Sequence, residues 1–191
     1  MQNKSFPPES YATTPIPLSD LPEIALYMDQ IITVFEQKLS ENKRYDTDKI
    51  ITKTMINNYS KDRILNPIKG KKYSKEHIIQ MFMIYHLKQV LSMTDIKKIF
   101  QNNQQHSVNL EDAYMQYQLK MQQQQPAIQA IMNGILQDNI SKNQQNTVEL
   151  TLIFSDISNQ FKRMAENLID WTYEQEVAQI KKIPNSSKKT K

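Results

Sequence analysis

The chain has 191 residues, 24 Lys/Arg against 20 Asp/Glu for a formal charge of +4, two glycines and no cysteine. Gly70 and Gly134 alone cannot build a Walker loop or a dinucleotide-binding fingerprint, and the lack of cysteine removes disulfides, thiolate metal sites and thiol nucleophiles. The mean hydropathy of −0.64 and apolar runs broken well short of the roughly 20 residues of a membrane span predict a soluble, cytoplasmic protein with no membrane partner.

Residues 1–18 carry four of the eight prolines and no helical period, which predicts an extended arm. There is no apolar run after Lys4, so the segment does not read as a signal peptide. Asp20-Leu21-Pro22-Glu23 has the chemistry of a helix start, with a capping carboxylate, a first-turn proline and Glu at the third position. It predicts an amphipathic helix carrying Leu21, Ile24, Leu26, Met28, Ile31, Ile32, Val34, Phe35 and Leu39, followed by a polar loop over 40–49. Thr52 is a capping residue for a short helix over 53–61. Its apolar side is Met55, Ile56 and Tyr59, and Lys53, Thr54, Asn57, Asn58 and Lys61 face outward.

A basic turn punctuated by Pro67 and Gly70 leads to Ser74, the cap of a helix whose inner stripe is Ile78, Met81, Phe82 and Tyr85, extending to Val90 and Leu91. Ser92-Met93-Thr94-Asp95 opens another short helix with Ile96, Ile99 and Phe100 inside. Asn109 caps a glutamine-rich helix that Pro126 is expected to end, with a second beginning at Ala127. Asn146-Thr147-Val148-Glu149 starts the last helix. On it Leu150, Phe154, Ile157, Phe161, Met164, Leu168 and Trp171 recur in alternating steps of four and three, the a/d pattern of a coiled-coil-like seam. That seam reads either as a dimer interface or as a helix buried in its own bundle, with Phe154, Phe161 and Trp171 as core aromatics and not a cofactor box. A basic tail closes the chain at 183–191.

Charge is unevenly spread. Residues 1–42 carry a net −4, residues 99–191 are neutral, and residues 43–98 hold thirteen Lys/Arg against five Asp/Glu, a net +8. Such a block is either a nucleic-acid footprint or a solvated lysine face. The three histidines give no i,i+4 metal pair: His77 is expected on the surface of an early turn, His86 beside a core stripe and His106 in a polar loop. No Ser-His-Asp set is available and Glu111-Asp112 is unremarkable, so no catalytic residue, metal or cofactor is expected and the protein does not read as an enzyme.

The order Ile56, Tyr59, Ile64, Leu65, Pro67, then Tyr73-Ser74, then Ser92 to Ile96, resembles the DNA-binding domain of MerR-type regulators. There a recognition helix leads through a turn and a basic wing to a Tyr-Ser exit and a final capped helix. The stretch 21–100, with Leu-Tyr-Met-Asp-Gln and Thr-Lys-Thr-Met-Ile-Asn-Asn-Tyr, also resembles an uncharacterised bacterial domain-of-unknown-function family with a MerR-like helix-turn-helix. The resemblance implies a mainly α protein: an arm over 1–18, a MerR-like winged helix-turn-helix with a short wing over 19–100, and a helical module over 107–182 for dimerisation or sensing of an unidentified small effector. It implies a homodimeric transcriptional regulator whose partner is double-stranded DNA. Asn57 and Asn58 can pair with adenine edges and Thr54 can touch a thymine methyl. Lys53, Lys61, Arg63, Lys69, Lys71 and Lys72 would neutralise phosphates. Thr54 and Asn57 stand where MerR proteins usually carry arginines, the wing is short and the loop before the recognition helix is long. These departures motivate the alternative of a protein-interaction adaptor that kept the fold without DNA binding.

Overall fold

The computed structural model of the protein describes residues 15–68, 70–105, 108–140 and 147–182. Among these residues the chain is mainly helical. The helices are α1 (Met28–Leu39), α2 (Lys53–Lys61), α3 (Lys75–Lys88), α4 (Met93–Gln105), α5 (Leu110–Ile140) and α6 (Thr147–Lys182). Two short strands, β1 (Leu26–Tyr27) and β2 (Lys72–Tyr73), pair antiparallel with Leu26 opposite Tyr73 and Tyr27 opposite Lys72. No described helix is long and apolar enough to cross a membrane.

The first helix begins later than the Asp20 signal predicts. Leu18–Asp20 forms one 3-10 turn, Leu21 is extended, Ile24 is 71% exposed, and the α-helix starts only at Met28. Pro22 disfavours the helical region for Leu21, and the backbone of 26–27 is taken by its ladder with β2. Tyr27 N–H then donates to Gln30 Oε1 at 2.9 Å, satisfying one donor at the true helix start. Within α1, Ile31, Phe35 and Leu39 are buried on one face, and the Phe35 ring stacks on Phe82 at 4.0 Å between centroids.

The centre of the core is α3, where Ile78, Ile79, Met81, Phe82 and Ile84 are all buried. Its expected stripe holds except at its end: Tyr85 is half-buried, Leu91 is buried, and Val90 is exposed because the helix has already stopped at Lys88. Ser74 caps α3 as predicted. His77, expected at the surface, is buried instead, because its ring folds back onto the cap: Nδ1 accepts from Ser74 N–H at 3.2 Å and the ring meets Tyr73 edge-on. His86 does sit beside the core, against Tyr85 and Tyr117, with a buried Nε2 that has no hydrogen-bond partner among the described residues. His106 lies outside the described residues.

Gln80 is fully buried among these apolar side chains. Its Nε2 donates to the Ile64 carbonyl at 2.8 Å and its Oε1 accepts from Asn66 N–H at 2.9 Å. One side chain thus satisfies two backbone groups of the turn that follows α2, which otherwise have no ladder to join. Ser92 caps α4 through Asp95 N–H, and Ile96 and Phe100 are buried as expected.

The core continues past residue 100. Leu110 and Tyr114 of α5 belong to it, and the Tyr114 hydroxyl donates to the Ile16 carbonyl at 3.1 Å, joined there by Gln118 Nε2. Of the expected arm, residues 1–14 lie outside the described residues, while Ile16 is buried against α5. Burial pushes the Tyr114 phenol up to about 12. Lys75 adds ion pairs to Glu23 at 2.6 Å and Glu111 at 2.9 Å, binding the N-terminal segment, α3 and α5 together.

Two expectations for the C-terminal half are corrected. Pro126 does not end a helix, since α5 runs through it to Ile140. Proline removes one backbone donor, but residues 119–124 and 126–127 are exposed, so water can bond the carbonyl left over. On α6, Ala165 and Ile169 pack on the core next to α4, with Lys98 reaching Asp170 at 3.3 Å. The heptad stripe lies roughly a quarter turn away at 3.6 residues per turn. Leu150, Phe154 and Ile157 are half-buried, but Phe161 (72%), Met164 (70%), Leu168 (61%) and Trp171 (60%) are exposed. Phe161 and Trp171 are therefore not core aromatics, and this part of the stripe is not buried in the protein's own bundle.

Candidate nucleic-acid interface

The nine residues of α2 are fixed from behind and bare in front. Thr52 Oγ1 accepts from Met55 N–H at 3.2 Å, setting the first turn. Ile56 and Tyr59 are buried, Met55 is half-buried, and α-helical spacing then leaves Lys53, Thr54, Asn57, Asn58 and Lys61 on the opposite, exposed face. The side-chain amides of Asn57 and Asn58 cap nothing and have no hydrogen-bond partner among the described residues. Their donors and acceptors are presented to solvent side by side.

The chain leaves α2 through Arg63, which holds a left-handed φ of +56°. That conformation disfavours residues with a Cβ by about 1 kcal/mol or more. It is held by bonds from Ile64 N–H (2.9 Å) and Leu65 N–H (3.2 Å) to the Tyr59 carbonyl and by the burial of both side chains. The result turns Arg63 outward next to Lys61 while Ile64 and Leu65 enter the core. After Pro67 the chain reverses at Gly70, whose φ of +71° is one that glycine adopts without strain, and presents Lys71 just before β2 and Lys72 on it, both exposed. Lys69 lies outside the described residues.

Lys61, Arg63 and Lys71 have no ion-pair partner among the described residues. Two other members of the predicted set are engaged. Lys53 Nζ is 2.6 Å from Asp29 Oδ1 on α1, with both side chains largely exposed. Lys72 Nζ stands 5.1 Å from the ring centre of Tyr27, its cross-strand neighbour. An exposed ion pair of this kind contributes about 0–1 kcal/mol, so Lys53 can exchange Asp29 for another anion at small cost. Asp29 and Tyr27 were not legible as parts of this face from sequence. The one available signal is that Asp29 sits at the start of a helix in the acidic N-terminal segment.

The C-terminal seam residues form a separate surface on α6. Among the described residues no group of three or more His, Asp or Glu side chains is arranged to hold a metal ion. No curated protein and no solved structure matches the chain. Residues 16–118, more than half the chain, match the model of a domain of unknown function, DUF1836, and the protein belongs to that family.

Proposed function

We propose that this DUF1836 protein is a DNA-binding transcriptional regulator, acting as a homodimer that places α2 of each copy in the major groove through a MerR-like winged helix-turn-helix. The observation that carries the reading is the exposed Asn57–Asn58 pair, without a partner among the described residues, on a helix whose other face is locked into the core. An Asn amide matches adenine N6 and N7. Around it Lys53, Lys61, Arg63, Lys71 and Lys72 supply positive charge on one helix and one adjoining turn, the arrangement that fixes register on phosphates. The element order supports the same reading: a short strand, α1, α2, a Pro/Gly turn, a strand returning to pair with the first, then α3.

The exposed stripe Phe161, Met164, Leu168 and Trp171 supports dimerisation, because contiguous large apolar side chains in water mark association surfaces. Two-fold symmetry would set paired α2 helices about one helical turn of DNA, roughly 34 Å, apart.

The protein-interaction adaptor is the second reading. It is favoured by the pairing of Lys53 with Asp29 and by the absence of arginine from α2. Duplex binding measured by fluorescence anisotropy over a salt series separates the two. Regulation by DNA binding requires a log–log slope of roughly −4.5 to −5.5 for five or six phosphate contacts. It also requires weakening on every sequence for Lys71→Gln with Lys72→Gln, and a changed preference at one base position for Asn57→Ala. Absence of duplex binding at low salt, with capture of a protein by the same face, establishes the adaptor.

A further inference from the structure

A cleft of about 200 Å³ lies behind α2, between that helix, the 49–51 segment and α3. It is partly open to solvent, and its volume is enough for a small ring, since an apolar cavity of roughly 150 Å³ already holds benzene. Part of its lining is apolar: Ile50, Ile51 and Met81 are buried and Met55 is half-buried.

The charged groups around it are of one sign. Lys49 and Lys88 line it, are exposed, and have no ion-pair partner among the described residues. Tyr59 also lines it and is only 5% exposed, yet its hydroxyl has no hydrogen-bond partner among the described residues. The only other polar side chains that line the cleft are those of Tyr85 and Gln89, the latter occupied by its bond to the Tyr85 carbonyl at 3.1 Å. No Asp or Glu lines the cleft. Two cations beside an apolar floor attract an anion with an apolar body, and the Tyr59 hydroxyl adds a neutral donor to the lining.

We infer that this cleft binds a small organic carboxylate with a compact aromatic or branched apolar tail. The tail lies on Met55, Met81 and the two isoleucines, and the carboxylate meets Lys49, Lys88 and the Tyr59 hydroxyl. The volume limits the tail to about one ring or a branched chain of similar bulk. Met55 and Tyr59 are on the same nine-residue helix as Asn57 and Asn58, so the occupant rests against the back of the presented face. The inference does not depend on DNA binding.

The test is a titration of the full chain, with 13C-methyl-labelled Met and Ile, by sodium phenylacetate, phenylacetamide and inorganic phosphate in separate arms. Saturable shifts in phenylacetate centred on Met55, Met81, Ile50 and Ile51 are expected at millimolar concentrations. Phenylacetamide should bind at least about tenfold more weakly for loss of its charge-assisted bonds, and phosphate should leave these methyls unmoved. Lys49→Gln with Lys88→Gln, at exposed positions, should weaken phenylacetate by about tenfold or more. Tyr59→Phe should weaken it several-fold while methyl signals elsewhere stay in place. No saturable shift in phenylacetate, equal binding of the amide, or unchanged affinity in the double-lysine variant would each overturn the inference.

Discussion

Lys53 at the start of α2 is held 2.6 Å from Asp29 near the start of α1, so one cation of the presented face is balanced by a carboxylate of the neighbouring helix. The pair is exposed and contributes little to stability, but it opposes any polyanion approaching α2. Removing Asp29 releases the Lys53 charge without touching the core.

Asp29→Asn should therefore tighten duplex binding several-fold at low salt and steepen the salt dependence by about one unit in log–log slope, the share of one added phosphate contact. Thermal stability should move by no more than about 1 kcal/mol. Anisotropy titrations of wild type and variant at several salt concentrations check both. An unchanged slope removes Lys53 from the interface.

Gln80 should matter far more to stability than its single amide suggests. Gln80→Leu keeps the volume but removes the bonds to the buried Ile64 carbonyl and to the Asn66 N–H. A loss of about 1–3 kcal/mol is expected, the cost of leaving the buried Ile64 carbonyl unsatisfied. Urea unfolding followed by circular dichroism measures it. The turn carrying Arg63 to Lys72 should exchange its amide hydrogens faster in the variant.

Stability should fall on mild acidification, because His86 is kept neutral. Burial lowers its folded-state pKa from the ordinary 6.5, and its Nε2 is enclosed without a hydrogen-bond partner among the described residues. Between the depressed folded value and 6.5 the unfolded chain binds the proton and the folded chain does not. The contribution is therefore intact above about pH 6.5 and declines below it, by at most about 1.4 kcal/mol per pH unit. Urea midpoints at pH 7.5 and 5.5, for wild type and His86→Phe, test this: the variant should lose part of the difference. An identical acid dependence in both would place its origin in other groups.

The α6 stripe gives a prediction about assembly. Met164→Lys with Leu168→Lys should convert a dimer to a monomer in light scattering at micromolar concentration, with little change in helicity. Both positions are exposed in the single chain, where substitutions change stability by about 0.5 kcal/mol or less. A wild-type protein already monomeric under those conditions removes the stripe from any role in dimerisation.

Features set by neighbouring residues were readable from the chain. The caps at Thr52, Ser74, Ser92 and Asn109 each act within three residues, so α2 to α5 start where their sequences say. The exposed face of α2 followed from the burial of Ile56 and Tyr59 alone. What escaped depends on distant partners. The helix signal at Asp20 yields to the pairing of Leu26 with Tyr73. Gln80 has no visible role until the groups it bonds, Ile64 and Asn66, are folded against it, and His77 was missed for a different reason, since its partner Ser74 is only three residues away. On α6 the a/d spacing was visible, but which flank meets α4 was decided by Ala165 and Ile169, whose small and branched side chains fit that contact. Within the candidate interface the nine predicted residues say nothing of Asp29 or Tyr27, because those two arrive from α1 and β1 only through the tertiary fold.

The central claim is that the outer face of α2 reads DNA, and selection of random duplexes by the full-length protein, sequenced before and after enrichment, measures it most directly. If α2 reads bases, the recovered motif has two half-sites about one helical turn apart, lost or relaxed at adenine positions by Asn57→Ala and Asn58→Ala. Recovery of no motif by the wild type, or of the same motif with undiminished preference by both alanine variants, would contradict it.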